Sequence, residues 1–103
     1  MRRVVVSKTF ERDLQALLAQ GADLFGDAVA QEKRKLITTV LRTVLAKSRK
    51  VGTRVRKLKL FRYEVTGVPL VILYNYARGA VYIHTVVHAR SDIPNTDLST
   101  VEW

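Results

Sequence analysis

Lys57 and Lys59 are the first residues in this chain whose type and spacing point to chemistry. Side chains on a strand alternate between faces, so the two ammonium groups would share one face about 7 Å apart, with Leu58 and Leu60 on the other. Such a pair can follow consecutive phosphates or steady charge that develops on one. Arg56 and Arg62 flank it. The same lysines would also serve as solvated guards of an edge strand.

Tyr82, His84, Val86 and His88 form a second constellation, spaced to share one face of a strand. About 13 Å separates the two histidines along such a strand, too far to close a bidentate metal site. No cysteine is present to help. His84 is expected to pack on a helix or to be hydrogen-bonded. His88, beside Arg90 at the strand's end, is placed for acid–base work or for a contact, although a purely structural histidine is the commoner outcome. Glu11 and Glu64 are single carboxylates with no second acid to pair with. Tyr63, Tyr74, Tyr76 and Tyr82 could stack on bases, yet strand tyrosines usually belong to a core or a sheet surface. No phosphate-binding glycine loop and no nucleophile elbow occurs.

Charge adds a direction. Of 18 lysines and arginines, against 9 acids, most lie between Glu32 and Glu64, a stretch without one acidic residue. The rest of the chain is net negative, so the basicity is regional, as a binding face for a polyanion or an acidic protein would require. Apolar residues at 48% exclude disorder over the whole length, and the absence of cysteine removes disulfides, thiolate zinc sites and a cysteine nucleophile. The longest apolar stretch, residues 68–74, is too short for a transmembrane helix, and no signal-peptide pattern follows Met1. The expectation is a cytoplasmic protein of one domain, residues 1–103, with 94–103 as a polar C-terminal tail.

The elements that must position these groups follow from periodicity. Residues 3–6 read as a β-branched strand. Ser7 or Thr9 can cap a helix whose Phe10, Leu14, Leu17 and Leu18 fall on one face. Gly21 is expected to end that helix, and Gly26 to mark a further break. Val29, Leu36, Ile37, Val40, Leu41, Val44 and Leu45 form the stripe of a second helix, with Lys33, Arg34, Lys35 and Arg42 mostly off it. Residues 48–53 read as a basic turn. Strands are expected at 56–64, at 68–76 with Pro69 near its start, and at 80–88, the last two joined by Ala77-Arg78-Gly79. The middle one is apolar on both faces and should be central. The order β-α-α-β-β-β describes an α+β domain, a helical hairpin packed on a small, mainly antiparallel sheet.

Several segments together resemble the RelE/ParE superfamily of toxins. They are Phe10-Glu11-Arg12-Asp13-Leu14, Lys57-Leu58-Lys59-Leu60, Val71-Ile72-Leu73-Tyr74, and the closing strand from Val81 through His88-Ala89-Arg90-Ser91-Asp92. The resemblance spans roughly residues 3 to 93. It implies a toxin neutralised by a cognate acidic antitoxin, in one of two branches. RelE-like members are mRNA endonucleases acting on the translating ribosome; in that branch Lys57, Lys59, Arg56 or Arg62, His88 and Arg90 would be catalytic. Their strand arginine is replaced here by Val71. ParE-like members poison DNA gyrase, and the His-x-Arg-x-Asp ending is nearer to theirs, with Ser91 in place of a second arginine. The ParE-like branch is favoured. Antitoxin or target binding would then involve Lys33, Arg34, Lys35, Arg42, Lys57, Lys59, Tyr63, His88 and Arg90. Neither branch implies a cofactor, a metal or a membrane. A non-toxic basic nucleic-acid-binding module is the remaining alternative.

Overall fold

Val4, Val5 and Val6 are stiff at χ1 and suit an extended backbone. They form β1 (Arg3–Val6), which runs parallel to the last strand in the register Arg3↔Ala80 to Val6↔Ile83. The computed structural model describes residues 2–47 and 51–103. The Ser48-Arg49-Lys50 part of the expected basic turn therefore lies outside the described residues.

Ser7 starts helix α1 (Lys8–Phe25). Its hydroxyl accepts the Phe10 amide at 2.8 Å, the N-cap arrangement expected of it. The free amides of Lys8 and Thr9 both donate to the Glu102 carbonyl, at 2.7 and 3.3 Å, and Glu102 returns its own amide to Thr9 Oγ1 at 2.8 Å. The C-terminal segment thus completes the start of the first helix.

Contrary to expectation, α1 runs through Gly21. A helical glycine costs about 1 kcal/mol against alanine, which tertiary packing overrides. Gly26, at φ 92°, makes the break instead and leads into α2 (Asp27–Thr39). A π-helical turn, Val40–Leu45, continues α2 and winds more widely. Ile37, Val40, Leu41 and Leu45 are buried as expected, whereas Leu36 stays exposed.

Among the described residues the sheet has five strands: β1, β2 (Thr53–Val55), β3 (Leu60–Glu64), β4 (Leu70–Ala77) and β5 (Ala80–His88), in the order β1-β5-β4-β3-β2. That is one strand more than expected, since β2 begins at the last residue of the expected turn and runs on to Val55. All neighbours except β1 and β5 are antiparallel. The turn between β4 and β5 places Arg78 at φ 52° and Gly79 at φ 74°. Two positive φ angles in a two-residue loop are the hairpin geometry that matches strand twist.

Central β4 is buried on both faces from Leu70 to Tyr74. Leu70, Ile72 and Tyr74 join Phe10, Leu14, Ile37 and Leu45 in the main core under the helical hairpin. Val71 and Leu73 face away and pack with Val55, Leu60 and Ile93 in a smaller cluster. Ile93 belongs to a 3-10 turn, Ile93–Asn95, that follows β5 onto this second face. Among the described residues no helix is long and apolar enough to cross a membrane.

Candidate interaction site

The expected strand over residues 56–64 is broken at the point where its chemistry was read. Arg56–Leu58 is a 3-10 turn, and Lys59 follows at φ 57°, ψ 32° before β3 begins. Lys57 and Lys59 therefore do not share a strand face. The reason lies in the apolar partners. Leu58 packs against the cluster that holds Leu60 and Ile93, and a turn delivers both leucines to it. Lys57 Nζ donates to Asn95 Oδ1, and Asn95 Nδ2 donates to Asp92 Oδ2 at 2.5 Å. Lys57 is thereby tied to the segment after β5, while Arg56 and Lys59 are exposed.

Arg62, on β3, pairs with Glu64 at 2.6 Å, the two side chains being 29% and 70% exposed. A pair this exposed contributes at most about 1 kcal/mol. Tyr63 lies opposite Ile72 and is half-buried against the main core. On α2, successive residues turn by about 100°, so Lys33, Arg34 and Lys35 point three ways. Lys33 reaches the β4 end of the sheet, Arg34 lines a cleft with Gln15, Leu18 and Gln31 against α1, and Lys35 faces solvent. Arg42 and Arg90 are exposed.

The histidines part company because of one extra residue. The β4–β5 register runs Leu73↔Thr85 and then Tyr74↔Ile83, so His84 is a bulge with no partner opposite. One inserted residue reverses which face the following side chains take. Val86 accordingly joins the core under the helices. His88 lines a cleft of about 180 Å³ with Leu17, Leu18, Lys33 and Pro69. The expectation that Tyr82, His84, Val86 and His88 share a face is overturned. His88 Nδ1 accepts the Arg90 amide at 3.1 Å, which leaves Nε2 to carry the proton of the neutral ring. The structure brings His88 to Lys33 and Lys57 to Asn95. It does not assemble lysine pair and histidine at one place.

His84 is hydrogen-bonded, as one of the two expected roles required, but not against a helix. Its Nε2 lies 3.0 Å from Asn75 Oδ1 and its ring meets Trp103 at 4.8 Å. Residue types gave no signal for this group, because Trp103 arrives from the far end of the chain. Burial pushes the His84 pKa below its ordinary 6.5. Between the lowered pKa and about 6.5 the unfolded chain binds a proton that the folded chain does not, so stability rises with pH there. It should be fully present above about pH 6.5 and decline below it. Melting temperatures recorded from about pH 7.5 down to about 5 should fall, and fall less in His84→Gln. An identical decline in the variant would assign the loss to other groups.

No protein-family model matches the chain, and no curated protein matches it. Among solved structures it is similar to a chain of the chromosomal ParDE TA system from P. aeruginosa, with a TM-score of 0.68 over 85% of this chain and 96% of that one. The two share a fold. At 14% identity the likeness concerns architecture, the helical hairpin on its sheet, and the ParDE chain carries no residue assignments across. The α+β arrangement expected from the sequence is the one both chains adopt.

Proposed function

We propose that this chain is the toxin of a toxin–antitoxin pair, of the ParE type, which arrests DNA gyrase in the cytoplasm of a bacterium or archaeon and is silenced by an acidic antitoxin. In this reading residues 1–103 act as one toxin domain with 94–103 as its C-terminal tail. The observation that carries it is the fold shared with the ParDE chain across nearly all of that chain's length. The local geometry supports gyrase over RNA cleavage. Lys57 and Lys59 leave a common face, Arg62 is engaged by Glu64, and Val71 is buried where the nucleases carry an arginine. Stalling a topoisomerase requires a binding surface and no nucleophile. The basic residues Lys33, Arg34, Lys35, Arg42, Lys57, Lys59 and Arg90, with Tyr63 and His88, are the contacts proposed for gyrase or antitoxin. Self-repulsion among the bases between Glu32 and Glu64 is relieved when an acidic chain covers them.

The test is a supercoiling assay with purified protein, beside growth of cells expressing it. Gyrase should stall on DNA and the cells should filament. Unchanged supercoiling at saturating protein would sink the gyrase assignment. Ribosomal A-site cleavage in toeprints, lost in Lys57→Ala and Lys59→Ala, would replace it with the endonuclease reading.

A further inference from the structure

Val81 and Ile83 point into the core under the helices, so the intervening Tyr82, and His84 at the bulge, open onto the other face of the sheet. Trp103 stands over both. Its ring lies 5.7 Å from Tyr82 at an interplanar angle of 80°, and 4.8 Å from His84 at 86°. Three rings meeting near right angles make a corner with aromatic surface on two walls. The Glu102 backbone, held by Lys8, Thr9 and the Thr9 hydroxyl, fixes the approach of the indole. Trp103 nevertheless keeps 47% of its surface exposed.

A cleft of about 470 Å³ opens at this corner, lined by Val5, Asn75, Arg78, Tyr82, His84 and Trp103. Its polar groups are few and oriented. The Asn75 carboxamide oxygen can only accept, so His84 Nε2 carries the proton and Nδ1 is left as an acceptor. The Asn75 Nδ2 amide is a donor beside it. Arg78 sits at the rim in the β4–β5 turn and borders a second cleft with Arg2, Phe61 and Tyr76. Arg78 forms no ion pair among the described residues.

An aromatic corner, a donor next to an acceptor, and an unpaired guanidinium at the rim match the face, the edge and the phosphate of a nucleotide. We propose that this corner is a nucleotide-binding site. The base lies against Trp103 and Tyr82, Asn75 and His84 bond its edge, and Arg78 takes its phosphate. An acidic peptide fits less well, because most of the chain's cations lie elsewhere, between Glu32 and Glu64. The site stands apart from the gyrase reading, and either can fail without the other.

Trp103 is the chain's one tryptophan, so its fluorescence reports this corner alone. The full chain is titrated with the four ribonucleoside monophosphates, ribose 5-phosphate, short single-stranded oligonucleotides and an acidic peptide. Saturable quenching by mononucleotides, without quenching by ribose 5-phosphate, is expected. Trp103→Ala, followed by calorimetry, should bind roughly tenfold more weakly, within the range that a stacked base loses with its aromatic partner. Arg78→Asn suits the left-handed turn and so folds. It should weaken nucleotides and leave the unphosphorylated nucleosides unchanged. Thr38→Ala, on an exposed helix face, should bind as the parent chain does. Oligonucleotides binding far more tightly than mononucleotides would make a single strand the source of the base, and equal affinity would make it a free nucleotide; both outcomes support the site. Silence at millimolar nucleotide, an equal response to ribose 5-phosphate, or a response to the acidic peptide alone would overturn it.

Discussion

Gly52→Ala is expected to destabilise the fold by about 3 kcal/mol, the upper part of the range for overpacking a core. Its melting temperature should drop by roughly 15 °C for a domain of this size. A Cβ at Gly52 would overlap the Tyr74 hydroxyl oxygen and stand 3.0 Å from Tyr74 Cζ and 2.6 Å from the Arg62 carbonyl oxygen. None of these can withdraw cheaply. Tyr74 is 0% exposed, and its ring stacks on Phe61 at 5.8 Å and meets Tyr76 edge-on at 5.6 Å. Arg62 is paired on both sides, with Thr53 of β2 and Leu73 of β4, so its carbonyl is fixed by the sheet.

The Tyr74 hydroxyl offers a check on that account. The Gly52 amide and the Tyr76 hydroxyl lie near it, but among the described residues the oxygen makes no hydrogen bond of good geometry. Burial pushes its pKa well up, and Tyr76 and Tyr63 add to the shift. Deleting an unsatisfied buried hydroxyl costs little or stabilises, so Tyr74→Phe alone should melt at or above the parent chain. Combined with Gly52→Ala it should recover part of the loss and no more, because the clash with the Arg62 carbonyl persists. Full additivity of the two changes would mean that the alanine and the hydroxyl do not meet. Thermal melts of the four proteins decide it.

The contrast between what could and could not be read in advance is physical. β5 was legible to the residue because β-branched side chains fill it and Arg78-Gly79 sets its start. The double burial of β4 was legible because a strand covered on both faces loses its polar alternation. The 56–64 segment misled because Lys57-Leu58-Lys59-Leu60 alternates as a strand should. What breaks it is distant: the cluster around Ile93 takes up Leu58, and Asn95 takes up Lys57. Gly21 misled because glycine weakens a helix without stopping it, whereas Gly26 reverses the backbone. The bulge at His84 is a single residue with no compositional mark, yet it moves His88 to the other face of the sheet and dissolves the histidine pattern.

That bulge has a brace, and removing it is the second large effect expected. The Ser7 hydroxyl donates to the His84 carbonyl at 2.6 Å while it accepts the Phe10 amide at 2.8 Å, and Ser7 is fully buried. Its own amide donates to the Ile83 carbonyl at 3.1 Å, so one residue joins the helix start to the bulge and to the residue before it. Ser7→Ala removes a helix cap, about 1 kcal/mol, and leaves the His84 carbonyl without its donor, a further 1–3 kcal/mol or so. The expected total is about 2–4 kcal/mol, since neither group reaches bulk water easily. Thr38→Ala is the comparison: it also deletes a hydroxyl bonded to a carbonyl, that of Arg34, but on an exposed helix face, and should change stability by less than about 0.5 kcal/mol. The two variants should differ in a second way. With its carbonyl released, His84 shifts beneath the indole, and the emission of Trp103 should move in Ser7→Ala while staying fixed in Thr38→Ala. Chemical denaturation followed by tryptophan fluorescence reads both quantities at once. A Ser7→Ala protein with parental stability and an unmoved emission maximum would show that the bulge holds without its serine.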